Sequence, residues 1–175
     1  MKTGTNPIES ALGILKQYKT LADKGMEQVT DGEFFRPPES ESNSIATIVK
    51  HVNGNLLSRW TDFLTTDGEK EWRDRDSEFE MDTMGRIQLM QMWERSWHCL
   101  FSSLEALTLG DLGKIVAIRS EPHSVLEAIN RTVAHISYHV GQIVFIAKLF
   151  KSGQWQTLTI AKRKSKEFTD KMSRA

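Results

Sequence analysis

Thr132-Val133-Ala134-His135-Ile136-Ser137-Tyr138-His139-Val140-Gly141-Gln142 is the stretch on which the reading of this sequence turns. It sits inside a longer run in which Ile129, Val133, Ile136, Val140, Ile143 and Ala147 recur at helical spacing. Pro122 introduces the run, Ser124 and Glu127 are spaced as a capping box, and Ser152-Gly153 ends it after about Phe150. At about 100° per residue, His135 and His139 fall on one face, one turn apart and within reach of a common ion. That face lies roughly 100° from the centre of the apolar stripe, so the pair is expected at the edge of the core, beside a cleft. Arg131 and Gln142 border it as a candidate polar wall.

Three further helical segments precede this one. The first is predicted from Asn6 as cap and Pro7 in the first turn, with Glu9 three residues after the cap. Ile8, Leu12, Leu15, Tyr18, Ala22, Met26 and Val29 carry it, and Asp31-Gly32 and Pro37-Pro38 break it off. The second runs from about Ser44 to Thr65, with Ile45, Ile48, Val49, Val52, Leu56, Trp60, Phe63 and Leu64 inward. The third spans roughly Thr83 to Leu107 on Met84, Ile87, Trp93, Trp97, Leu100, Leu104 and Leu107. Between the second and third, Thr66 to Asp82 reads as a long charged loop. Lys114 to Arg119 is short and β-branched, an extended segment that could pair with Leu158-Thr159-Ile160 in the tail. The expectation is an all-α fold, a four-helix bundle with a small extended element before the fourth helix and in the C-terminal tail. With no repeat and no linker, residues 1–175 are expected to form one domain.

The bulk properties exclude more than they identify. The 39% apolar and 26% charged residues are an ordinary globular mix. Acidic and basic side chains balance at 23 each, so no overall field favours nucleic acid or anionic membrane. The short basic run Lys162-Arg163-Lys164-Ser165-Lys166 then reads as a solvated tail. The single cysteine, Cys99, has no internal disulfide partner, the N-terminal residues 1–7 are polar, and no uninterrupted apolar window is long enough to span a bilayer. The expected compartment is the cytoplasm, with no membrane and no nucleic-acid partner.

His51 lies mid-way along the second helix, on a polar line with Ser44, Thr47, Asn55 and Ser58. Three histidines from two facing helices give the ligand count of a catalytic-type site that leaves positions for water. Two features, Ser44-Ile45-x5-His51 and His135-x3-His139-x2-Gln142, resemble the DinB/YfiT-like metalloenzyme superfamily, and the likeness covers about Pro7 to Phe150. The resemblance implies an up-down-down-up four-helix bundle and one divalent ion held by His51, His135 and His139. Nickel or zinc stands ahead of iron or manganese as the implied cofactor. It also implies a metal-dependent transferase or hydrolase acting on a small molecule, with a low-molecular-weight thiol as a candidate substrate. Asn55, Arg131 and Gln142 would orient that substrate, and a homodimer is expected. The alternative is a non-catalytic metal-binding or stress-related bundle, or an interaction module.

Other metal chemistries fit less well. A di-iron bundle needs Glu three residues before a ligand histidine, where this chain has Ile48, Thr132 and Ile136. The zincin motif fails because Ile136-Ser137 follows His135. His98 and Cys99 are adjacent and point to different faces, Cys99 being expected as a small buried hydrophobe. His123 is expected to cap or to face solvent. Trp60, Trp93 and Trp97 are expected in the core, and Trp72 and Trp155 in loops.

Overall fold

The computed structural model describes residues 6–80 and 83–173. The polar start of the chain, residues 1–5, and the end of the charged loop, residues 81–82, lie outside them. Six α-helices follow in order: α1 (Pro7–Glu27), α2 (Asp31–Phe35), α3 (Ile45–Trp60), α4 (Arg86–Glu105), α5 (Val125–Lys151) and α6 (Ser165–Met172). An antiparallel hairpin, β1 (Ile115–Ile118) and β2 (Glu121–Ser124), precedes α5. The protein is thus mostly helical, and its four long helices are those the periodicity predicts. α1 packs mainly on α5 and α3 mainly on α4, while α3 and α5 also meet. Buried residues of all four, with Val116 and Ile118 of β1, form one cluster. Trp60, Trp93 and Trp97 are fully buried in it, as their spacing predicts.

The caps follow local chemistry. Asn6 accepts from the Ile8 amide, and Ser44 accepts from Thr47. Ser124 and Glu127 close the predicted capping box reciprocally. A box that the sequence reading passed over, Thr30 with Glu33, starts α2 where Asp31-Gly32 was expected to break the chain. The ends also move inward. α3 stops at Trp60, and Leu64, expected inward, is exposed. α4 starts at Arg86, which puts Ile87 in its first turn, off the Leu89–Trp93–Trp97 stripe and 76% exposed.

One expectation needs correcting and a second needs refining. β1 pairs with Glu121–Ser124, not with the tail, so Pro122 lies in a strand. The tail instead runs back to α1, where the Gln28 side chain donates to and accepts from the Gln156 backbone. The basic run then leads into α6, which buries nothing. Second, α5 is long and apolar enough to cross a bilayer by length and composition alone, although Glu127, Arg131, His135, His139 and Lys148 leave it without the uninterrupted apolar window the sequence reading looked for. A core helix passes the same test, and here Ile129, Ile136, Val140, Ile143 and Ala147 are buried in the common cluster.

The long loop after α3 is not loose. Ser58, buried on α3, donates to the Gly68 carbonyl at 2.8 Å and accepts from the Lys70 amide at 3.0 Å. Asp67 reaches the two-residue turn of the hairpin, accepting from the Arg119 and Ser120 amides at 2.8 and 2.7 Å. That turn needs the help. Arg119 and Ser120 both have left-handed backbone, φ 56° and 61°, where hairpins prefer Asn-Gly. Asp67→Ala is therefore expected to cost about 1–2 kcal/mol and to lower the melting temperature by a few degrees. Asp67→Asn, which keeps one acceptor, should lie between. Equal thermal melts for wild type and Asp67→Ala would contradict this account of the turn.

Candidate metal centre

α3 and α5 bring the three histidines together. His51 is buried on α3, and His135 and His139 are half-buried one turn apart on α5. His135 Nε2 lies 3.3 Å from His51 Nε2 and 3.2 Å from His139 Nε2. One nitrogen from each ring fits within 4.8 Å of the other two. Among the described residues no other group of three His, Cys, Asp or Glu does so.

The outward-facing nitrogens decide what those three Nε2 atoms present. His51 Nδ1 is 2.8 Å from Glu78 Oε2, and His139 Nδ1 is 2.9 Å from Gln142 Oε1. Both partners are acceptors, so both Nδ1 atoms carry the proton and both Nε2 atoms present a lone pair inward. His135 Nδ1 is buried without a partner. Neutral imidazole nitrogens this close repel one another unless a proton or a cation lies between them. Tetrahedral ligation with metal–nitrogen bonds of about 2.0–2.1 Å spaces the nitrogens about 3.3 Å apart. The donor set and its spacing therefore fit a divalent cation.

Burial opposes the alternative of a shared proton. It pushes His135 down from 6.5 to about 3, with the charges of His139, His51, Arg59 and Arg73 adding to it. His139 is pushed down to about 4, again chiefly by burial and against the Gln142 hydrogen bond. Release of a cation by imidazole protonation, for ordinary histidines near pH 5–6, thus moves to lower pH for these two.

Sequence reasoning missed Glu78. It sits in a 3₁₀ turn, Ser77–Phe79, 27 residues beyond His51 in a loop full of charge. Burial pushes its carboxyl up, but hydrogen bonds from His51 and Arg73 outweigh that and hold it below the usual range. Arg73 clamps it with Nε to Oε1 at 2.8 Å and Nη2 to Oε2 at 3.0 Å. The approach requires Gly54. A Cβ there would run into Glu78 Oε1, so only glycine lets the carboxylate lie against α3.

The other predicted residues are placed as follows. Gln142 orients His139. Asn55 and Arg131 line a cavity of about 130 Å³ beside His51 and His135, and Asn55 Oδ1 is buried there without a partner. His98 is exposed, and Cys99 is half-buried, 3.6 Å from Thr61 Oγ1, rather than fully buried. His123 lies in β2, 3.9 Å from Glu121. A larger cavity, about 590 Å³, opens under Trp155 and the tail and contains none of the three histidines. Trp72 is exposed.

Fold and site together define a helical protein whose histidine cluster is able to hold a metal ion. Residues 2–164 match the family described as protein of unknown function (DUF1572), a DinB-like family, and the chain belongs to it. No curated protein and no solved structure matches the chain significantly.

Two outcomes follow from the geometry. Gly54→Ala and Glu78→Gln should each weaken metal binding about 10–100-fold, read by competition with a chromophoric chelator. Unchanged affinity in both would rule out Glu78 as the group that orients His51. In chelated protein, His135 and His139 stay neutral when folded but protonate near 6.5 when unfolded. The unfolded chain then binds more protons below pH 6.5, so stability falls as pH drops from 6.5 towards 4. Melting temperatures at pH 7 and pH 5 should show this drop, and a His135→Ala/His139→Ala variant should flatten it. An equal drop in the double variant would assign it to other groups.

Proposed function

We propose that the chain is a metal-dependent enzyme acting on a small molecule, with one divalent cation held by His51, His135 and His139. In this reading α1, α3, α4 and α5 form an up-down-down-up bundle of the DinB/YfiT-like kind. The observation that carries it is the convergence of three histidines, with His135 Nε2 at 3.2–3.3 Å from the other two Nε2 atoms and with the Nδ1 of both others committed to an acceptor outside the cluster. Bound there, the cation supplies Lewis acidity that lowers the pKa of a water or a thiol. All-imidazole ligation suits zinc, nickel, copper and iron alike, and the resemblance to DinB/YfiT-like proteins puts nickel or zinc ahead of iron or manganese.

The chain's own residues fix the rest of the site. Glu78 is tied up by Arg73 and His51, so it orients a ligand and does not take a proton from substrate. Asn55 Oδ1 is an unused acceptor beside His51 and His135, suited to a donor on the substrate. Arg131 is an exposed cation at the same cavity, suited to a leaving group that gains negative charge. This set favours transfer of a low-molecular-weight thiol to an electrophile over hydrolysis, since among the described residues the cavity lining offers no carboxylate as general base. A homodimer is the proposed assembly, supported by exposed Tyr138, Phe145 and Leu149 on one flank of α5.

The competing reading is an ion that serves only to lock α3 to α5. It predicts a different response to chelation. The long helices bury one continuous apolar cluster without the ion, so the metal-free chain should stay helical at 25 °C with a lowered melting temperature. Thiol-conjugation activity should vanish with chelator and return with added metal. Loss of the helical circular-dichroism signal on chelation would favour the structural ion, and a folded protein inactive with every thiol and metal would count against the enzyme.

A further inference from the structure

We infer that the cavity beside the histidine cluster is a site for a small dianion, a phosphate or a dicarboxylate, held by arginines drawn from four separate segments. Arg59 comes from α3, Arg73 and Arg75 from the loop after it, Arg119 from the hairpin turn and Arg131 from α5. His51 and His135 share the wall, so an anion there is adjacent to the metal centre. The inference rests on the metal reading for what reacts, while the anion contacts stand without it.

Three of the five guanidiniums lack an ion-pair partner among the described residues. Arg73 is paired with Glu78 and approaches Glu69 at 3.7 Å, and Arg119 is paired with Glu69 at 3.0 Å. Arg59, Arg75 and Arg131 make no ion pair among the described residues. Arg59 is the telling one. It is only 5% exposed, and its Nε is buried with no hydrogen-bond partner. A guanidinium in that state is costly unless something pairs with it. Burial first, then the charges of Arg131 and Arg73, push it down to about 10, against a smaller opposing pull from Glu69.

An oxyanion relieves all of this at once. Guanidiniums match carboxylate and phosphate oxygens with paired, charge-assisted hydrogen bonds. The cavity volume, about 130 Å³, is well below the ~300–1,000 Å³ of sites for drug-sized ligands, which points to a small anion or the anionic end of a larger one. The hairpin turn belongs to the same design, because Asp67 holds the strained Arg119–Ser120 backbone that presents Arg119 to the cavity.

Calorimetric titration of the full chain with inorganic phosphate and with succinate, metal-loaded and chelated, tests the inference. At low ionic strength one anion per chain should bind in both states, and binding should weaken as salt rises. Arg59→Met should weaken it about tenfold or more. Arg131→Gln and Arg75→Gln, at exposed positions that should not disturb folding, should each weaken it several-fold. The preference between phosphate and succinate distinguishes the two kinds of dianion. Metal-loaded protein that binds neither anion overturns the inference and leaves the metal reading intact. Binding that is unchanged in both Arg131→Gln and Arg75→Gln also overturns it. Anion binding by a protein that takes up no metal in any preparation supports it while sinking the metal reading.

Discussion

The contact from His51 Nδ1 to Glu78 at 2.8 Å joins two parts of the chain that the sequence keeps separate. α3 is a core helix with Ile48, Val49, Val52 and Leu56 buried around His51. Glu78 belongs to a charged loop that would otherwise have little reason to lie against it. The contact is stable because the carboxylate is not left alone: Arg73 neutralises it, and Gly54 leaves it room. Fixing Glu78 in turn fixes the His51 tautomer and aims its Nε2 lone pair at the α5 histidines. It also brings Arg73 and its neighbour Arg75 to the edge of the site. One hydrogen bond therefore organises both the candidate metal ligands and the cationic wall beside them.

The electrostatics of the site differ from those of the chain as a whole. Net charge is zero, and that balance argues rightly against a general affinity for polyanions. Locally the balance fails, because five arginines meet around one small cavity and two carboxylates near them are already paired. Such a concentration of positive charge destabilises the folded state unless a ligand compensates it. Burial and the neighbouring histidines depress His135 protonation first, and Arg59 and Arg73 of the same field add to it.

How much of this was legible depended on the range of the interaction. The i,i+4 spacing of His135 and His139, the Ser124–Glu127 box and the tryptophan stripe are local patterns, and each is found where the pattern puts it. Gln142 could be read because it lies three residues from His139 on the same helix. Glu78 could not, since nothing in a loop with many acids marks the one that packs against Gly54. The arginine cluster was equally hidden, because its members are spread from residue 59 to residue 131 and only Arg131 lies near a recognisable motif. The hairpin was misread for a different reason. Pro122 is a good helix-start signal, but a two-residue turn at Arg119–Ser120 lets β1 pair with the chain that immediately follows it, before the tail can compete.

Everything in the account rests on the three Nε2 lone pairs being there to receive a cation. The most direct measurement is a calorimetric titration of chelated, tag-free protein with zinc and with nickel at neutral pH, alongside His135→Ala. His135 is the ring that closes on both of the others, so its loss should remove the site while leaving the helices intact. The account predicts one ion bound per chain in the wild type and none in the variant. Binding of equal stoichiometry and affinity in His135→Ala, or no binding of either ion by the wild type, would contradict it.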